Sequence, residues 1–416
     1  MVSFTKFTLQ NGLRVIVHED HATPMAVVNI LYDVGARDED PQQTGFAHLF
    51  EHLMFSGSAN IPNYDGPLQQ VGGENNAFTS NDITNYYLSL PAVNVETALW
   101  LESDRMLDLA FDEKGLEVQR NVVSEEFKQR YLNQPYGDVW LRLRPMAYQV
   151  HPYRWATIGK ELAHIEDARM EDVRNFFNTY YHPGNAILAI AGDVDTAQVQ
   201  QLVEKWFGPI PAGTRPVRSL TPEPPQQEAR REVVQADVPV HAIYIAFHGP
   251  ARLDTDYHAA DLLTDLLGSG QSARLFRNLV KENELFSQVN AYSTDSIDTS
   301  LLVIEGKPLP HVSIQEAEAA IWRVLDDLKA QPVPTTELEK TKNRIESNFE
   351  FSQMSNLNKA MNLAYYELLG DAEEYNREVA KYAEVTVQDV QRVAQNIFRH
   401  ENSNTLIYLA QPKDDR

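Results

Sequence analysis

The sequence predicts an α+β protein made of two similar halves, each an α/β sandwich, joined by a proline-rich linker. Two internal matches and one compositional break carry that expectation. "MAVVNILYDVGARDEDPQQTGFAHLFEHLMFSGS" pairs with "VHAIYIAFHGPARLDTDYHAADLLTDLLGSGQSA", so that Ala36-Arg37 falls on Ala251-Arg252 at an offset of 215. Further on, "MEDVRNFFNTYYHPGNAILAIAGD" pairs with "VQDVQRVAQNIFRHENSNTLIYLAQP", with Asp172 on Asp389 at an offset of 217. Two matches in the same order at nearly the same offset indicate a duplicated unit. Between the halves, "PIPAGTRPVRSLTPEPPQQEAR" is dense in proline and poor in large apolar residues. The expected boundaries are residues 1–208 for the first half, 209–230 for the linker and 231–416 for the second half.

In chain order, "TKFTLQNGLRVIVHE" reads as a strand, a turn at Asn11-Gly12 and a second strand. The apolar "MAVVNILY" follows as a strand, and "YDVGARDEDP" as a solvated loop with a remote capacity for calcium. "GFAHLFEHLMF" then reads as a helix. "NNAFTSNDITNYYLSL" is strand-like, "LEVQRNVVSEEF" helical, and "HPYRWATIG" a packed loop.

The bulk numbers narrow the function. The 416 residues include 43% hydrophobic and 10% aromatic residues, as a globular chain does. A formal net charge of −23 argues against nucleic-acid binding, which needs a basic face. No cysteine is present, so disulfides, thiolate metal sites and cysteine nucleophiles drop out, leaving His, Asp and Glu as metal ligands. No apolar run is long enough for a membrane span. The opening residues lack the pattern of a signal peptide, so the expected location is the cytoplasm, or the periplasm if a leader was trimmed.

The helix "GFAHLFEHLMF" carries His48, Glu51 and His52 among apolar residues. Positions i and i+4 share a helix face, so the two imidazoles can hold one divalent ion at about 2.0–2.1 Å. Glu51 lies at the edge of that face, where it can reach a metal-bound water as general base. At the offset of 215 the second half has Leu263, Leu266 and Leu267 in these places, so the fold itself does not require polar groups there. A catalytic site of this kind needs a third protein ligand. Glu117, Glu125 and Glu126 on the later helix are candidates, and spacing does not choose among them.

"HLFEH" and "RNVVSEEF", with "GGENNAFTSNDITNYY" between them, resemble the M16 metallopeptidases, the pitrilysin or insulinase-like family, over essentially the whole chain. At this length the chain looks most like the short, M16B-type bacterial subunits. The resemblance implies Zn²⁺ held by His48, His52 and Glu126, with Glu51 as the catalytic base of an H-x-x-E-H site. It implies that Glu125 and Gln119 neighbour the ligand set, Gln119 standing where many members have an acid. Asn76, Ala77, Phe78 and Thr79 would belong to an edge strand that receives the substrate as an added strand. The implied architecture is half of a clamshell, two chains enclosing a chamber in which extended peptides or unfolded segments are cleaved.

One segment departs from the family pattern. Members carry an Arg and a Tyr from the second half near the zinc, in a stretch resembling "SARLFRNLVKENELFS". Here those positions are Val280 and Ser287, with Arg277 and Tyr292 as displaced substitutes to consider. A heterodimer with a second M16-type subunit that supplies the pair is therefore favoured over a homodimer. A non-catalytic or partner-dependent scaffold subunit is the alternative function.

Overall fold

The computed structural model of the chain describes residues 1–411. The first half of the chain supplies strands β1 (Thr5–Thr8), β2 (Arg14–Glu19), β3 (Met25–Tyr32), β4 (Glu74–Thr79), β5 (Thr84–Pro91) and β6 (Ala186–Gly192). Its helices include α1 (Phe46–Leu53), α2 (Glu113–Phe127) and α3 (Val139–Ala147). The second half supplies β7 (Arg230–Ala236), β8 (Ala242–His248), β9 (Phe286–Ser293), β10 (Leu301–Pro308) and β11 (Ser403–Ala410), with α4 (Tyr257–Gly268) and α5 (Asn356–Leu369) among its helices. The expected opening hairpin is present: β1 and β2 pair antiparallel, and Gly12 turns the chain at a φ of 90°.

Two mixed sheets result, ordered β1-β2-β6-β3-β5-β4 and β7-β11-β8-β10-β9. In each, one pair runs parallel, β2 with β6 and β7 with β11, and the remaining pairs run antiparallel. The edges nearest the sites considered below are β4 in the first sheet and β9 in the second.

The chain separates into two compact units that are not simply its two halves. One comprises residues 1–127, 155–219 and 348–378; the other comprises 128–154, 220–347 and, among the described residues, 379–411. Burial explains the exchange. β6 is buried along its whole length and β3 nearly so, hence both faces of the sheet centre need cover. In the first unit α5 supplies it, packing Ala360, Leu363 and Ala364 against Val27, Leu31, Ile187 and Ala189. In the second unit α3 does the same, with Leu143 and Ala147 against Ala246, Val303 and Leu406. Within the stretch expected as a linker, the division falls between Ser219 and Leu220, and β7 begins at Arg230.

The duplication is visible in the elements, with a shift in register. α1 begins at Phe46 and α4 at Tyr257, an offset of 211, because the loop between strand and helix is five residues shorter in the second copy. Counted from the helix starts, His48, Glu51 and His52 correspond to Ala259, Leu262 and Leu263, all buried. The apolar character of the second copy therefore holds in this register too. Among the described residues no helix is long and apolar enough to cross a membrane.

Candidate metal centre

α1 is anchored by one face and offers the other. Phe46, Ala47, Leu49, Phe50 and Leu53 are buried, and Phe50 packs at a tilt against Tyr181 with ring centroids 4.4 Å apart and against Phe176 at 5.4 Å. The helical period then leaves His48, Glu51 and His52 on the partly open side. The two imidazoles stand edge to face, centroids 4.9 Å apart.

α2 packs beside α1 and closes the cluster. Glu126 Oε2 lies 3.7 Å from His48 Nε2 and 3.5 Å from His52 Nε2. One ligand atom from each of the three residues falls within 4.8 Å of the others, the one such group among the described residues. Four ligands at 2.0–2.2 Å from a tetrahedral ion sit about 3.3–3.5 Å apart, so these spacings fit a small divalent cation with little adjustment. Register on α2 decides which acid serves. Val123 and Phe127 are buried, which puts Glu126 at the edge of the packed face and leaves Glu125 exposed. Glu117 instead pairs with Arg120 at 2.6 Å. Gln119, expected beside the ligands, donates to Ser56 Oγ at 3.1 Å.

Glu51 is mostly enclosed, and burial raises its pKa above the usual carboxylate range, with the Thr79 hydroxyl and His52 acting in the other direction. Thr79 Oγ1 donates to Glu51 Oε2 at 2.6 Å. This is the residue expected only as part of a substrate strand; its side chain is engaged with Glu51. β4, which carries Asn76, Ala77, Phe78 and Thr79, pairs on one side only, with β5 in the register Ala77↔Tyr86 and Thr79↔Thr84. Asn76 Oδ1 accepts the N–H of Ala77 at 2.8 Å. Phe78 points the other way, into the packing under α5.

The loop between β3 and α1 corrects one expectation. "YDVGARDEDP" is not a solvated loop: it is buried except at Asp40 and Pro41 and partly at Asp38, and Asp33 and Asp38 are already engaged by arginines. Arg218 donates to Asp33 Oδ1 at 2.7 Å and to Asp38 Oδ1 at 2.5 Å, Arg215 donates to Asp33 Oδ2 at 2.8 Å, and both aspartate side chains are only 3% exposed. Burial would raise Asp33, but Arg218, Arg215 and Arg37 outweigh it and hold its pKa low. The "HPYRWATIG" loop is packed as expected, with His151, Tyr153 and Trp155 buried.

In the second unit, Val280 packs against the core around α4, and Ser287 Oγ donates to the Lys307 carbonyl at 3.0 Å. Arg277 is exposed and lies 3.6 Å from Glu282. Tyr292 sits on β9 with its ring edge toward Trp140, centroids 6.4 Å apart, in the packing under α3.

The chain resembles known proteins over nearly its whole length. Residues 14–159 match the family described as insulinase (peptidase family M16), and residues 167–345 match the peptidase M16 inactive domain. The zinc protease PqqE of Helicobacter pylori is 32% identical over 406 residues, covering 96% of this chain and 91% of that protein. A solved structure of a protease from Helicobacter pylori superposes with a TM-score of 0.93 at 30% identity, covering 98% of this chain and 100% of that one. A probable mitochondrial-processing peptidase subunit beta of Arabidopsis thaliana is 28% identical over 306 residues, 71% of this chain and 57% of that protein.

Proposed function

The chain belongs to the M16 peptidase family, and from that premise we propose that it is a zinc-dependent endopeptidase cleaving extended peptides or unfolded segments. The observation that carries the reading is the convergence of His48, His52 and Glu126 within 4.8 Å, with Glu51 on the same helix beside them. His48 and His52 through Nε2 and Glu126 through Oε2 would hold the ion, leaving the fourth position open, as catalytic sites require. Zinc bound there supplies a Lewis acid that acidifies water and polarises a carbonyl. Glu51 takes the proton of the attacking water and returns it to the departing amine. Thr79 holds one oxygen of Glu51, which leaves the other for the water. The unpaired edge of β4 binds the peptide as an added strand, with main-chain hydrogen bonds that place little demand on sequence. For such a strand to reach the Ala77 N–H, the side chain of Asn76 has to release it.

Val280 and Ser287 favour a second reading of how the activity is organised. Neither side chain matches the Arg and Tyr expected there, so a second M16-type subunit supplies those groups and this chain supplies the metal centre. That one relative is named as a subunit of a processing peptidase agrees with this. A homodimer with a modified site is the alternative assembly, and a non-catalytic or partner-dependent scaffold subunit the alternative function.

Cleavage of a long fluorogenic peptide by the zinc-loaded chain, beside a Glu51→Gln control that still binds zinc, tests the proposal. Activity lost in the control supports an endopeptidase complete in itself. Zinc bound without cleavage in either form rejects that and points to a partner.

A further inference from the structure

α1 has an unusual start. It is eight residues long, too short to hold together by local bonds alone, and its cap residue Gly45 has no side chain to accept the first free N–H groups. Gly45 stands at a φ of 87°, and a Cβ there would lie 2.6 Å from the Ile158 carbonyl oxygen, so no capping side chain can replace it. The acceptor comes from outside the helix. Glu39 Oε2 accepts the N–H of Gly45 and Oε1 accepts that of Ala47, each at 2.9 Å.

Glu39 is itself 6% exposed and firmly presented. The turn that carries it is fixed on several sides: Arg37 pairs with Asp82 at 2.9 Å, Gly35 N–H donates to Asp38 at 3.0 Å, and Trp155 Nε1 donates to the Ala36 carbonyl at 2.9 Å. Burial pushes the Glu39 pKa up to about 8, with the N–H bonds from Ala47 and Gly45 pulling toward the anion. Ionised, Glu39 also complements the helix dipole, and an N–H on each of its oxygens favours that form. Ala47 immediately precedes His48, and a metal site tolerates only about 0.2 Å in its bond lengths. A loosened first turn would therefore be felt at the ligands.

We infer that Glu39 is a positioning residue for the metal-ligand helix: its carboxylate clamps the amino end of α1 and so keeps His48 and His52 in register with Glu126. This rests on the metal reading given above, and it goes beyond it by assigning work to a buried acid that touches neither ligand nor substrate. Glutamine at this position would turn an NH₂ group toward a backbone N–H. Aspartate, one methylene shorter, reaches only one of the two amides.

The test uses the full chain, zinc alone as probe with a competing chelator, and hydrogen exchange of α1 amides in the metal-free protein. Glu39→Gln is expected to weaken zinc binding about tenfold or more, the range for groups that orient ligands. It should also speed exchange in α1, with Glu39→Asp intermediate. A folded Glu39→Gln protein with wild-type zinc affinity overturns the inference, even if its melting temperature falls, since a merely structural role would do only that. If Glu39→Gln does not fold, the Asp variant decides by the same two readouts, and wild-type values overturn it. If the wild-type chain binds zinc no better than a His48→Ala control, the metal reading fails instead. In that case α1 exchange still decides the clamp: unchanged exchange in Glu39→Gln rejects it, and faster exchange supports it.

Discussion

The hydroxyl of Thr79 donates to Glu51 Oε2 at 2.6 Å, so the last residue of the edge strand β4 is tied to the carboxylate beside the His48–His52–Glu126 cluster. On the proposed reading, the strand that receives the peptide and the group that activates water are joined by this one hydrogen bond. Thr79→Val keeps the shape and removes the donor. It should lower kcat about tenfold with KM little changed, as loss of an orienting partner does, and Thr79→Ser should restore it. Initial rates over a range of peptide concentrations would separate the two constants; a change confined to KM would assign Thr79 to peptide binding alone.

Glu125 and Glu126 are neighbours in sequence, and only Glu126 faces the histidines. Glu126→Gln should weaken zinc by more than the roughly 100-fold that an outer partner can cost. Glu125→Gln should stay within about twofold, like other surface changes. Chelator competition on the two purified variants gives both numbers, and equal losses would show that the choice between the acids is wrong.

Arg218 reaches two buried aspartates, whereas Arg215, 52% exposed, reaches one. Removing the partner of a buried charge costs about 3–5 kcal/mol. Arg215 and Arg37 still face Asp33, so Arg218→Ala should fall near the low end, about 3 kcal/mol. Arg215→Ala should cost under about 1 kcal/mol. Urea unfolding of the two variants provides the check, and similar losses would mean the linker contact is spread evenly over both arginines.

Asp261 on α4 accepts a hydrogen bond from Tyr382 at 2.6 Å, and burial pushes its pKa up from 3.8 to about 6, with Asp295 and Asp265 adding to the rise and His258 opposing it. The folded chain thus keeps a proton that the unfolded chain has lost. This contribution is complete below about pH 4 and disappears as pH rises to about 6, an effect of roughly 3 kcal/mol. Asp261→Asn stays neutral throughout, so the stability difference between wild type and variant should shift by that amount between pH 4 and pH 7. Denaturant unfolding followed by tryptophan fluorescence at several pH values would reveal it; a flat difference would contradict the assignment.

Part of this protein is determined by short-range pattern. The i, i+4 spacing of His48 and His52 sets them on one face of any helix, because 3.6 residues make a turn. The Asn11-Gly12 hairpin follows from the left-handed preference of glycine, and the duplication shows in repeated apolar periods. Spacing leaves three acids open, and only the family resemblance singles out Glu126. It took the packing of α2 on α1, set by Val123 and Phe127, to bring that acid to the histidines. The exchange of α3 and α5 between the units was not legible, because each covers a sheet face distant in sequence and its own amphipathic pattern does not say which. For the same reason the loop aspartates read as solvated until Arg215 and Arg218 arrived from about 180 residues away. Thr79 on Glu51 and Glu39 on α1 are likewise pairings of side chain with distant side chain or backbone. Local propensity shapes the elements; only burial, which leaves every enclosed polar group in need of a partner, decides which of them meet.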